Sequence, residues 1–228
     1  MELILVRHGQ PVWVEDGKSV LDPRLSDLGL EQARRLAEEA RAWSRPSELW
    51  VSPTRRSRET AAPLAEALAL NQVVHPWLEE LRLPEAWHGK DASEVGEAIR
   101  GGRQRPEPEW WDGPPGGESF RSFWARVTEG LTAELGRRGL ETGPAEQPHL
   151  FQGEASDQRV LIVAHAGTNA AILSRLLGLP PVPWVWERFG AMHSSVTRLR
   201  AQSLLGAHIF SLRVFSDMGH LPKALRTR

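Results

Sequence analysis

The chain predicts an α/β fold, a three-layer sandwich with a mostly parallel central sheet, helices on both faces and an irregular lid region. Three observations predict it. Short, continuously apolar runs at 3–6 and 160–164 are the pattern of strands buried on both faces. The stretches after them carry apolar residues at helical spacing. Strand-like and helix-like segments then alternate along the chain, which places helices over both faces of one sheet.

Each element can be justified in turn. Leu3, Ile4, Leu5 and Val6 form the first strand. Turn residues fill 17–23, and Ser26 is a candidate cap for a helix whose stripe is Ala33, Leu36, Ala37 and Ala40. Glu48 to Val51 reads as a second strand, with Ser52 and Pro53 expected as cap and first helical position, and Ala61, Leu64, Ala65 and Leu68 as the next stripe. Val73 and Val74 suggest a short third strand. Residues 78–116 are rich in Pro, Gly and Trp, with one short helix expected near 91–99, and are expected to form a lid or insertion. Phe120, Phe123, Trp124, Val127, Leu131 and Leu135 mark a long amphipathic helix. Residues 139–158 carry few apolar positions and are expected to be a mobile surface loop. The 160–164 strand leads into a helix bearing Leu173, Leu176 and Leu177, and late strands are expected at 185–189, 195–199 and 209–215. No fixed-period repeat or linker divides the 228 residues, so a single domain over 1–228 is the expectation.

Composition narrows the chemistry. Lys and Arg number 28 against 29 Asp and Glu, so no global electrostatic footprint for nucleic acid or a membrane surface is present. The absence of cysteine excludes disulfides, thiolate catalysis and zinc–thiolate sites, and fits a cytoplasmic setting. No apolar run approaches the ~20 residues of a membrane span, and the first residues lack the pattern of a signal peptide. A homodimer is compatible with the sequence but nothing in it points to one.

Open α/β sheets bind ligands beyond the carboxyl ends of their strands. The first strand ends in Arg7-His8-Gly9, the 160–164 strand in His165-Ala166-Gly167-Thr168, and the second leads into Ser52-Pro53-Thr54-Arg55-Arg56. Two histidines and an arginine cluster thus converge on one sheet edge. A neutral imidazole can attack phosphorus and form a covalent intermediate. Guanidinium donors match phosphoryl oxygens, and a second imidazole or the N–H groups opening a helix can add to the cradle. Arg7, His8, Arg56 and His165 would therefore make a phosphate pocket that needs no metal and no cofactor. On the arginine-rich segment, Arg55 and Arg58 compete with Arg56.

The joint pattern resembles the histidine phosphatase superfamily, in its phosphoglycerate-mutase-like branch. Arg7-His8-Gly9 matches the opening R-H-G. Ser52, Pro53, Arg56, Thr60 and Ala61 match S-P-x-x-R-x-x-x-T-A. His165 with Ala166 and Gly167 matches the second histidine and its small neighbours. Pro115, Gly117, Glu118 and Ser119 match a P-x-G-E-S stretch, and His220-Leu221-Pro222 a late H-L-P. The resemblance covers nearly the whole chain. It implies that His8 becomes the phosphohistidine, that Arg7 and Arg56 bind phosphoryl oxygens with Ala166 and Gly167 beside them, and that His165 stabilises the transition state. It implies a carboxylate proton donor in the segment Leu78-Glu79-Glu80-Leu81, with Glu80 expected and Glu79 the alternative. The substrate expected is a small phosphorylated molecule, and the activity a metal-independent phosphomonoesterase. A phosphoglycerate-type mutase and a non-catalytic phosphate-binding member are the alternatives.

The chain also departs from that pattern. Pro11 and Val14 stand where many members carry Thr and Asn, and Gln10 is the candidate to compensate. Glu80-Leu81-Arg82-Leu83-Pro84 lacks the mutase-like basic stretch, which favours a phosphatase. Leu81, Leu83, Trp87, Trp110 and Trp111 make the lid region apolar, either to pack it on the core, the favoured reading, or to accommodate an apolar leaving group. His88 and His193 are expected in surface or structural roles, and Glu118 and Ser119 as a helix cap or as part of the substrate wall.

Overall fold

A computed structural model describes residues 1–228 except 145, 146, 148 and 205. In chain order the strands are β1 (Glu2–Arg7), β2 (Val14–Glu15), β3 (Lys18–Ser19), β4 (Glu48–Val51), β5 (Gln72–Val74), β6 (Leu140–Thr142), β7 (Phe151–Gly153), β8 (Arg159–Ala164), β9 (Val196–Leu204) and β10 (Ala207–Asp217). The helices are α1 (Asp27–Ala40), α2 (Arg55–Leu68), α3 (Ala92–Gly102), α4 (Phe120–Gly136), α5 (Ala166–Leu176) and α6 (Val185–Arg188). Eight strands form one sheet in the order β5-β4-β8-β1-β9-β10-β7-β6, and β2 pairs with β3 alone.

The sheet is mixed. The half from β5 to β1 is parallel as expected, whereas β9, β10, β7 and β6 join by antiparallel pairing. β1 is the seam: Leu5 faces Ile162 of the parallel neighbour β8 and Thr197 of the antiparallel neighbour β9. Alternation along β1 then divides the core. Ile4 and Val6 pack with Leu36 of α1 and Leu64 of α2, while Leu3 and Leu5 pack on the opposite face with Phe123 and Leu131 of α4 and Ile172 of α5. Side chains two apart share a face, so each apolar strand serves both layers, and each fully buried Leu or Ile contributes roughly 1.5–3 kcal/mol.

Local signals account for most helix starts. Ser26 accepts from the Gly29 amide and caps α1, and Ser119 accepts from the Ser122 amide and caps α4. The expected helix near 91–99 is α3, capped by Asp91. The start of α2 differs from expectation: Thr54, not Ser52, is the residue before the helix, because the Ser52 hydroxyl is drawn away to His165. Two longer expectations are also corrected. The described residues of 139–158 are not simply a loop, since Leu140 and Phe151 are fully buried and anchor β6 and β7 to the sheet edge, while 145, 146 and 148 lie outside the described residues. The strand expected at 185–189 is the short helix α6, entered through Trp184 with a left-handed backbone (φ 55°). Its apolar residues pack onto α5 instead of joining the sheet. Among the described residues, no helix is long and apolar enough to cross a membrane.

Candidate active site

Parallel pairing puts the carboxyl ends of β4, β8 and β1 side by side, and with them the segments that follow: Ser52 to Arg56, His165 to Gly167, and Arg7 to Gly9. The His8 and His165 rings lie 5.1 Å apart. Both residues are buried, at 3% and 1% exposure.

The backbone sets the protonation of His8. Its Nδ1 lies 2.7 Å from the Gly9 carbonyl oxygen, which can only accept, so Nδ1 carries the hydrogen. Arg56 Nε donates to the other ring nitrogen, Nε2, at 3.3 Å. His8 is therefore a neutral imidazole whose Nε2 lone pair faces a guanidinium. Burial, then Arg56 and Arg7, push its pKa well below the ordinary 6.5. The Gly9 turn is made possible by its lack of a side chain, because a Cβ there would sit 2.7 Å from the Gly29 carbonyl oxygen of α1. Gly9 also donates from its amide to Thr60 on α2, and Thr60 donates to the Arg56 carbonyl.

Arg7 and Arg56 are held from opposite sides. Arg7 donates to the Ala191 carbonyl at 2.6 Å and to His193 Nε2 at 3.0 Å. His193 must accept there, so its Nδ1 donates to Thr227 at 2.9 Å. Burial and Arg7 hold the His193 pKa down at about 3. Ser194, in a left-handed conformation (φ 56°), aims its amide at the carbonyl oxygens of both Arg7 and His8. Arg56 is 4% exposed, lies over the Trp13 ring at 4.9 Å and has Asp22 at 3.6 Å. Its alternatives are placed elsewhere: Arg55 pairs with Glu59 on the exposed face of α2, and Arg58 is exposed. Arg7 Nε, Arg56 NH1 and His165 Nδ1 are buried without a hydrogen-bond partner.

His165 ends β8 and precedes α5. Its Nε2 is 2.7 Å from the Ser52 hydroxyl, with the Thr54 and Ser57 hydroxyls at 3.4 and 3.5 Å. Burial, Arg56 and His8 lower its pKa well below 6.5. Glu80 reaches the same site from the segment after β5. Its carboxylate accepts from the Gly167 amide at 2.8 Å and from the Leu81 amide at 3.1 Å. Burial raises its pKa above the ordinary 4.5, against the pull of those two amides and of Arg56 and Arg7. Glu79 instead pairs through its side chain with Arg82 at 2.7 Å.

The expected residues Arg7, His8, Arg56, Glu80, His165 and Ala166 thus come together, with one change of partner. The Gly167 amide, expected to face phosphate, is occupied by the Glu80 carboxylate. Gln10 does not turn to the site but accepts from Ser26, and Val14 is exposed on β2. Glu118 pairs with Arg126 and Ser119 caps α4, so neither joins the wall of the cavity. His88 is exposed. Sequence reasoning missed Trp13, Asp22 and the contact of His193 with Arg7. None of the three carries a local signal, since each reaches the site only through long-range packing. A cavity of about 700 Å³ opens from Arg7, Arg56 and Glu80 toward residues 81–115 and α6.

Comparison with known proteins gives the family. The family model described as histidine phosphatase superfamily (branch 1) matches residues 3–204. A glucosyl-3-phosphoglycerate phosphatase of Mycobacterium tuberculosis is 32% identical over 216 residues, covering 92% of this chain and 90% of its own length. Phosphoserine phosphatase 1 of Hydrogenobacter thermophilus is 29% identical over 186 residues, covering 78% and 77%. The solved structure of a mycobacterial glucosyl-3-phosphoglycerate phosphatase superposes with a TM-score of 0.69 at 30% identity, covering 95% of this chain and 99% of that one.

Proposed function

The chain belongs to branch 1 of the histidine phosphatase superfamily and is a phosphomonoester hydrolase, and on that premise we propose that it works by two in-line displacements at His8. In the first, His8 Nε2 forms a bond to phosphorus, the bond from phosphorus to the ester oxygen breaks, and Glu80 gives its proton to the departing alkoxide. In the second, Glu80 takes a proton from water, whose oxygen bonds to phosphorus as the N–P bond breaks, returning neutral His8 and protonated Glu80.

The observation that carries this reading is the state of His8. A neutral ring with Nδ1–H tied to Gly9 leaves Nε2 as the one nucleophilic atom, and no proton need be removed before attack. The donors on Arg7 and Arg56 that are buried without a hydrogen-bond partner supply charge for the equatorial oxygens. Ala166, at the first turn of α5, adds an N–H on the same side. His165 acts as a donor to the transition state, which requires its proton on Nδ1 and the Ser52 hydroxyl donating to Nε2. The raised pKa of Glu80 suits it to carry the proton that the leaving group needs.

The test is hydrolysis of p-nitrophenyl phosphate in excess EDTA, with rapid-quench trapping of labelled phosphate on the protein. Native protein is expected to turn over and to carry acid-labile, base-stable label. His8→Ala is expected to lose both. Full activity in that variant would overturn the assignment.

A further inference from the structure

The large cavity beside the phosphate cluster bears on what the ester carries. Its wall beyond Arg7, Arg56 and Glu80 is mostly apolar, with Trp13, Leu83, Trp87, Ile99, Trp184 and Trp186 among its members. Leu81 and Trp87 are themselves 8% and 9% exposed, so the wall is seated on the core. Trp184 is fixed by Phe120 at 4.9 Å and Trp186 at 5.5 Å, and takes a left-handed backbone to be there. A strained conformation held at a cavity wall by packing is a pre-set surface rather than an incidental one. Two of the three tryptophans expected to make this region apolar, Trp110 and Trp111, are used otherwise: Trp110 donates to the Arg105 carbonyl, and Trp111 lies under Arg121 at 4.8 Å.

The charges on the same wall are balanced. Outside Arg7, Arg56 and Glu80 it holds three carboxylates, Asp22, Glu79 and Glu85, and two guanidinium groups, Arg82 and Arg105, but Asp22 faces Arg56 at 3.6 Å, so the remainder carry no net charge. Both guanidiniums already donate within the wall, Arg82 to Glu79 and Arg105 to the Gly113 carbonyl at 2.6 Å. A carboxylate on the leaving group would lose water against a mostly apolar wall of no net charge without gaining a committed partner. An apolar group would bury its surface against indole and aliphatic side chains, in a volume typical of sites for ligands well beyond a phosphate.

We infer that the substrate is the phosphomonoester of a bulky alcohol that is largely apolar and carries no carboxylate. This differs from a glyceric acid or serine phosphate. It rests on the reading of the phosphate cluster given above, and names the leaving group that the cluster serves.

The test compares kcat/KM for 3-phenylpropyl phosphate, glycerol 1-phosphate and 3-phosphoglycerate, in native protein, His8→Ala and Ile99→Asp. All three leaving groups are primary alkanols, so the comparison reads the wall more than the ester's intrinsic reactivity. Ile99 is 38% exposed, so its substitution leaves the fold intact. Native protein is expected to favour 3-phenylpropyl phosphate at least tenfold over each of the others, and Ile99→Asp to shrink that preference through KM. Equal or better hydrolysis of 3-phosphoglycerate or glycerol 1-phosphate, lost in His8→Ala, would overturn this inference and leave the His8 reading standing. A preference for 3-phenylpropyl phosphate retained in His8→Ala would support the apolar leaving group and overturn the His8 reading. Hydrolysis of none of the three esters would overturn the inference.

Discussion

The Ser52 hydroxyl sits 2.7 Å from Nε2 of His165, and both groups are buried. Ser52 follows β4 while His165 follows β8, so adjacent parallel strands deliver the contact. In the proposed mechanism, with Ser52 donating, His165 presents Nδ1–H to the developing charge on the phosphoryl group. Ser52→Ala is expected to lower kcat about tenfold, equivalent to about 1.4 kcal/mol, with KM little changed. Ring-nitrogen NMR shifts of His165 should show mixed tautomers in the variant. A normal kcat would remove Ser52 from any positioning role.

The pH profile follows from two opposite shifts. His8 is held neutral well below pH 6.5 in the free protein, so the acid limb of kcat/KM lies below that of an ordinary histidine. Glu80 must be protonated for leaving-group departure, and its raised pKa keeps it so above the ordinary 4.5. Activity is therefore expected to be highest on the acid side of neutrality and to fall as rising pH ionises Glu80. Glu80→Gln is expected to lose roughly 10²–10⁴ in kcat and to lack that alkaline limb. An unchanged limb in the variant would assign it to another group.

Gly167 has no room for a side chain. A Cβ there would lie 2.4 Å from Glu80 Oε1 and 2.8 Å from the Trp186 ring. The carboxylate is the movable party, so Gly167→Ala is expected to fold but displace Glu80 from the amide that holds it. A loss of kcat of about tenfold or more is expected, smaller for p-nitrophenyl phosphate, whose leaving group scarcely needs an acid. Equal losses on aryl and alkyl esters would contradict this.

Acid should destabilise the fold through its buried histidines. The unfolded chain takes up protons as pH falls through about 6.5, whereas folded His193 does so at about 3 and His8 and His165 are likewise depressed. Between those limits the unfolded state binds more protons, so stability falls as pH falls. Glu80 acts in the opposite sense, its contribution being present below pH 4.5 and lost as pH rises through its raised pKa, but it is one group against three. Calorimetry at pH 7 and pH 5 is expected to show a Tm lower by roughly 5 °C or more at pH 5. A flat Tm would refute the burial of these rings as neutral species.

The sequence announces what local chemistry determines. β1 and β8 are legible as unbroken apolar runs, α1 and α4 as stripes behind Ser26 and Ser119, and the two histidines by their places at strand ends. What escapes it depends on distant partners. Leu140 and Phe151 sit in stretches with few apolar residues, and only pairing of β7 with β10, and of β6 with β7, turns their surroundings into strands. Val185 to Phe189 has the composition of a strand, but the left-handed turn at Trp184 directs it into a helix. His193 looks like any loop histidine until β1 brings Arg7 against it.

Because β1 is hydrogen-bonded on both sides while the cavity wall comes from 3-10 turns, α3 and the α6 segment, the chain separates two kinds of evolutionary change. Substitutions at Leu83, Ile99 or Trp186 alter the clientele of the pocket and leave the mounting of His8 untouched. Hydrogen exchange should draw the same boundary, with the amides of Leu3 to Val6 among the last to exchange and those of residues 81–115 among the earliest. A scaffold partitioned in this way can acquire new substrates one wall residue at a time without passing through inactive intermediates.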